Sequence, residues 1–163
     1  MRRALPLSAL LLVCACGSTT SVTPSPTVDP AVRSAAAQAY SAAAATANAA
    51  KAALQAGPCL TSDNASLKAC SSGLAAAEQA FENALLKITF PPDTRADADS
   101  LVAIDKRVVA DEMSFAKSAN PEADATDFTA IESDDKLLAA AVAAVRRDLG
   151  LAPPPSFRGS PTP

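Results

Sequence analysis

Apolar positions recur along this chain at intervals of three and four, in four long stretches separated by proline and glycine. That spacing is the mark of a helix with one buried stripe. The first stretch covers residues 29–56. It opens on Asp29-Pro30, an N-cap acid followed by proline at the first helical position, and stops at Gly57-Pro58. More than half of it is alanine, the best helix former. Val32, Tyr40 and Leu54 share one side with Ala36, Ala43, Ala47 and Ala50, while Ser34, Ser41, Asn48 and Gln55 recur every seven residues on a face that should be wet. Tyr40 is expected at the core edge with its hydroxyl at the surface. The second stretch, about 63–89, carries Leu67, Cys70, Leu74, Ala77, Phe81, Ala84 and Ile88 in unbroken three-four register.

Phe90-Pro91-Pro92 breaks the chain. A third helix is predicted over about 93–119, with Asp93, Asp97 and Asp99 at its positive dipole end and Leu101, Val102, Ile104, Val108, Val109, Met113, Phe115 and Ala116 as its apolar set. Asn120-Pro121-Glu122 repeats the cap signal. A fourth helix should begin between 121 and 127 and run to 149, with Phe128, Ile131, Leu138, Val142, Val145 and Leu149 as its seam, Arg146 and Arg147 in its last turn, and Gly150 as its stop. Four segments joined by short breaks predict an all-α, antiparallel up-down four-helix bundle over residues 29–150. A three-helix arrangement with one segment loosely packed is the alternative. The alanine-rich first helix would be the weak member, because each alanine buries little area.

The flanks read differently. Met1-Arg2-Arg3 is cationic, and 4–13 is an apolar run too short for a roughly 30 Å hydrocarbon core. A charged start, a short apolar run and small residues before a cut describe a secretory signal, here residues 1–15. Val13-Cys14-Ala15-Cys16 resembles the lipobox of bacterial lipoproteins, with Val13 where Leu is usual and Cys14 where a small residue is usual. The resemblance covers only the signal. It implies a diacylglyceryl group on Cys16, a chain anchored on the extracytoplasmic face of a bacterial membrane, and removal of the signal. Cys14 is the competing position, but Val13 before it fits a small-residue cleavage pocket less well than Ala15. Two acyl chains are enough for stable anchoring. Residues 16–28, rich in Ser, Thr and Pro, read as a disordered tether, and residues 151–163, LAPPPSFRGSPTP, as a disordered tail.

Composition narrows the chemistry. The chain contains no histidine, which removes Ser-His-Asp and Cys-His catalysis and most zinc, copper and haem ligation. No nucleophile or metal motif stands out, so neither a cofactor nor an enzymatic activity is expected. The net charge of −3 becomes −5 once Arg2 and Arg3 are removed, which disfavours nucleic acid. Residues 91–149 hold thirteen acids against seven bases, so the second hairpin is the acidic one.

Outside the cytoplasm, Cys59 and Cys70 are expected to pair and staple the first hairpin. Asp135 falls on the fourth seam, seven after Phe128 and seven before Val142, and Asp111 falls seven after Ile104. Buried carboxylates need compensation, with Arg107, Lys106 and Lys136 as candidates. The pair is read mainly as seam-edge carboxylates bonded to bases or water, and otherwise as the polar part of a ligand pocket. Two functions are therefore expected: first, a non-enzymatic interaction module of the cell envelope with a protein partner; second, a small-ligand or lipid-binding protein using the bundle interior.

Overall fold

The computed structural model describes residues 28–60 and 63–154. The signal at 1–15, Cys14, Cys16, the tether up to residue 27 and the tail from residue 155 lie outside the described residues. Four helices follow in order: α1 (Pro30–Gln55), α2 (Asn64–Leu85), α3 (Arg95–Lys117) and α4 (Pro121–Asp148), with a short 3-10 turn at Pro58–Leu60 between the first two. No strand occurs among the described residues.

Local chemistry explains each boundary. The Asp29 carboxylate caps α1 by accepting from the Ala31 amide at 2.8 Å. Asp63 caps α2 through the Ser66 amide, and Asn120 caps α4 through the Glu122 amide, each at 2.9 Å. Helix α2 stops four residues before the predicted end: the Lys87 and Ile88 amides bond the Ala84 and Leu85 carbonyls in tightened i→i−3 turns, and the chain then carries Phe90 into the core. Helix α3 begins at Arg95, so Asp93 precedes it and pairs with Arg33 at 2.5 Å. Helix α4 ends in a Schellman motif. Gly150 adopts φ 71°, its amide donates to the Arg147 carbonyl, and the Leu151 amide donates to Arg146. Leu151 then packs on the core, and Pro153 and Pro154 line a cleft, so residues 151–154 belong to the folded body and not to the tail.

Ion pairs between helix ends define the topology. Arg33 near the start of α1 reaches Asp93 before α3 and the Asp148 carbonyl at the end of α4, while Arg147 of α4 meets Asp97 of α3 at 3.1 Å. At the other end, Lys68 of α2 bonds the carbonyls of Phe115 and Ser118 where α3 stops, pairs with Asp124 of α4 at 3.1 Å, and lies over the Phe115 ring. The helices therefore run up, down, up and down. The Cys59 and Cys70 sulfurs are bonded, with Cα atoms 5.0 Å apart, and close the α1–α2 turn.

Helix α3 packs along its length against both α2 and α4, whereas α1 rests on α2 and scarcely touches α4. The core gathers Tyr40, Phe81, Leu85, Phe90, Leu101, Val108, Leu138 and Val145. Tyr40, expected at the core edge, is 1% exposed and stands edge-on to Phe81 with ring centroids 6.1 Å apart. Phe128 and Leu67, expected in the seams, are 55% and 39% exposed.

Candidate functional site

The sparse contact between α1 and α4 leaves an open cleft of about 660 Å³. Its middle is apolar: Ala44 and Ala47 from α1, Phe81 from α2, and Leu138, Ala139 and Val142 from α4. Its two ends are polar. Tyr40, Arg146, Pro153 and Pro154 bound one, and Asn48, Lys51, Glu78 and Asp135 bound the other. Eleven residues separate Tyr40 from Lys51 on α1 and Asp135 from Arg146 on α4, so the ends lie about 16 Å apart at 1.5 Å rise per residue. Between the two ends α1 presents only Ala44 and Ala47 to the larger Leu138 and Val142 of α4, which leaves the space between them unfilled.

The two ends differ in what they have free. At the first, Arg146 Nε donates to the Ala152 carbonyl at 2.7 Å, and its guanidinium lies near the Tyr40 hydroxyl. Burial raises the Tyr40 pKa, and Arg146 opposes that rise. At the second end, Lys51 is bound to Glu78 in a salt bridge whose carboxylate is almost wholly buried. Asp135 makes no hydrogen bond or salt bridge with any described residue. The partial burial of its carboxyl against the cleft raises its pKa, with Lys51 opposing and Glu78 reinforcing the shift.

Behind Glu78 lies a set of buried acids that the seam assignments for α2 and α3 did not include. The buried positions of α3 are Ala98, Leu101, Asp105, Val108, Glu112 and Phe115, an unbroken three-four series carrying two carboxylates. Ser71, Glu78 and Glu82 are buried on α2. Asp105 is 0% exposed, and neither of its oxygens has a hydrogen-bond donor in reach. Burial, with the charge and hydrogen bonding of Glu78 next, pushes its pKa up to about 8. Near neutral pH it is thus a carboxylic acid, and its own proton bridges to Glu78. A carboxylate facing a carboxylate offers no other donor, so the proton is what satisfies both. Lys106 meets Glu82 at 3.7 Å from the solvent side. Burial also raises the Glu112 pKa, opposed by a hydrogen bond from Ser71.

The acids singled out from sequence meet different fates. Asp135 lies on the cleft wall. Asp111 is half-buried among Asp134, Asp127 and Arg107, away from the cleft, and burial, then Asp134, raises its pKa. The structure does not bring the two together; it is Glu112, beside Asp111, whose carboxyl feels the charge of Asp135. Arg107 pairs with Asp134 at 3.0 Å. Among the described residues, no three acids or cysteines converge in a way that could hold a metal ion, and no helix is long and apolar enough to cross a membrane. Comparison with protein-family models, curated proteins and solved structures found no match to this chain.

Proposed function

We propose that this protein is a lipid-anchored, extracytoplasmic binding protein of a bacterial envelope, without enzymatic activity, and that the cleft between α1 and α4 holds a small ligand with an apolar body. The observation that carries this reading is the cleft itself. Its volume of about 660 Å³ falls in the range of small-molecule sites, and its apolar walls end in a few fixed polar groups. The lipobox resemblance at Val13–Cys16 supports the anchor at Cys16. The same lipid would keep the cleft near a membrane surface.

An interaction module presenting a helical face to another envelope protein is less well supported. The large exposed apolar side chains, Val32, Leu60, Leu67, Leu86, Phe128 and Leu137, are spread over α1, the Pro58–Leu60 turn, α2 with its C-cap, and α4, and the last two point to opposite sides of α4, nine residues apart.

The test is a native mass spectrum of protein extracted gently from its own membranes. Wild type should carry a discrete extra mass of a few hundred daltons beyond the chain from Cys16 and its acyl groups. Ala139→Trp, at an exposed position of the cleft wall, should lose it. Retention of that mass in Ala139→Trp, or a bare wild-type monomer that captures no small molecule from a soluble library, would refute the cleft as the site.

A further inference from the structure

Two cations line the cleft between α1 and α4, and their surroundings differ. Lys51 is neutralised by Glu78. Arg146 pairs with no carboxylate among the described residues. Its Nε donates to the Ala152 carbonyl at 2.7 Å, and the Tyr40 hydroxyl lies beside its guanidinium. Both of these neighbours are neutral, and a guanidinium has five N–H donors and no acceptor. Its charge and part of its donor fork are therefore left unanswered. The fork is also held in place. Gly150 turns the chain back at φ 71°, the Leu151 amide donates to the Arg146 carbonyl, and the Ala152 carbonyl then receives Arg146 Nε. Tyr40 is a second, independent sign. It is 1% exposed, it lines the same end of the cleft, and its hydroxyl hydrogen has no acceptor among the described residues. A buried hydroxyl without an acceptor is destabilising until one arrives. One charged and one neutral donor thus meet at a single end of an apolar channel. A cationic head group would be repelled there, and an anionic one would satisfy both.

We propose that the ligand is a single-chain amphiphile with a carboxylate head, the carboxylate held by the Arg146 Nη groups and the Tyr40 O–H, and the chain lying along Ala44, Ala47, Phe81, Leu138 and Val142. The inference rests on the cleft being a binding site and names the class of its ligand. The head group follows from the donors. A planar guanidinium matches the two oxygens of a carboxylate, and one guanidinium balances one negative charge, so a carboxylate fits better than a doubly charged phosphate monoester. The direction follows from the other end of the cleft, about 16 Å away, where Asp135 and Glu78 would repel an anion. The body follows from the wall between the two ends, whose side chains are apolar, and from a volume of about 660 Å³, which has room for one such molecule. Because the turn after α4 positions Arg146 before any ligand arrives, little ordering of the side chain is needed on binding.

Calorimetric titration of the full chain carrying Cys16→Ser, with decanoate, decanol and decylammonium as matched probes at neutral pH, tests this. Decanoate should bind at one site per chain, at least about tenfold more tightly than either analogue, as expected for hydrogen bonds to a charged group. Octanoate should bind about tenfold more weakly than decanoate, because two methylenes are withdrawn from the apolar wall. In the same background, Arg146→Gln should bring decanoate down to the level of decanol, and Tyr40→Phe should weaken decanoate by about two- to tenfold. The comparison among probes needs neither of these variants, so it stands even if one of them fails to fold. Decanol or decylammonium binding as tightly as decanoate, decyl phosphate binding more tightly, or Arg146→Gln leaving the preference intact would overturn the carboxylate assignment while leaving the cleft as a binding site. Binding of none of the probes, or full retention of decanoate by Ala139→Trp, would overturn both.

Discussion

Replacing Asp105 by Asn separates the buried proton from every other feature of the bundle. Asparagine keeps the shape and can donate to Glu78 as the carboxylic acid does, but it cannot ionise. In wild type, Asp105 has a native pKa of about 8, while in the unfolded chain it falls to the ordinary aspartate value of about 3.9. Between those values the native state holds a proton that the unfolded state has released. Stability contributed by this group is therefore fully present below about pH 4, falls by up to about 1.4 kcal/mol per pH unit as pH rises, and is gone above about pH 8. Integrated from pH 5 to pH 8, the loss is about 3.5 kcal/mol, a large part of the 5–15 kcal/mol typical of a domain. Glu112 and Asp135 also have raised pKa values and lose stability in the same direction, but they remain in the variant. The wild-type minus Asp105→Asn difference isolates Asp105. Urea unfolding of both proteins at half-unit steps from pH 5 to 9 measures it. Expected is a wild-type curve that falls by about 3.5 kcal/mol more than the variant's between pH 5 and pH 8, the variant keeping only the shallower descent due to Glu112 and Asp135. Two curves that track each other within about 0.5 kcal/mol would show that Asp105 is ionised at neutral pH, and would refute the shared proton.

Reduction, or Cys70→Ser, should cost about 2–4 kcal/mol by reopening the loop closed between Cys59 and Cys70, read as a drop in melting temperature on adding reductant that the serine variant no longer shows. Lys68→Met keeps the aliphatic stem but removes the donor to the Phe115 and Ser118 carbonyls, and should cost about 1–2 kcal/mol in denaturant unfolding; an unchanged midpoint would mean water replaces the ammonium at no cost. Phe81→Ala should cost about 3–5 kcal/mol, since Phe81 fills the core beside Tyr40 and floors the cleft, and near-ultraviolet dichroism should report the loss of the Tyr40 environment. At Gly73, an added Cβ would stand 2.5 Å from a terminal methyl of Leu54. The other Leu54 methyl and its Cγ would lie at 3.1 and 3.4 Å, so the whole end of Leu54 must shift, which offsets the roughly 1 kcal/mol by which alanine favours a helix, and Gly73→Ala should change stability by less than about 1 kcal/mol in thermal unfolding.

The buried acids are legible in retrospect in two series of residues. On α3, the series 98-101-105-108-112-115 was there to be counted, but Val102, Ile104 and Val109 drew the apolar stripe to one side, since a carboxylate is not expected in a seam. On α2, Ser71, Glu78 and Glu82 alternate with Ala75 and Leu85 at the same spacing, next to the more conspicuous series through Leu74, Phe81 and Ile88. Asp135 was identifiable from sequence because it interrupts an otherwise apolar seam, whereas Asp111 satisfied the same arithmetic on α3 and came to lie on a different face.

What the sequence determined alone is local. Asp29-Pro30, Asp63 and Asn120-Pro121 start helices because a side-chain oxygen, joined in two of the three by a proline, acts within one turn, and Gly150 ends α4 for the same short-range reason. The short connections then leave few ways to arrange four helices, and the spacing of Cys59 and Cys70 lets a turn bring them together. What the tertiary structure decided is which polar groups are cut off from water and where packing fails. Asp105 is buried because α2 and α3 turn their charged series toward each other, which depends on the rotation of both helices at once. The cleft exists because α1 offers α4 little more than alanine between the two ends, and the resulting gap is a property of the pair that neither helix carries in its own residues.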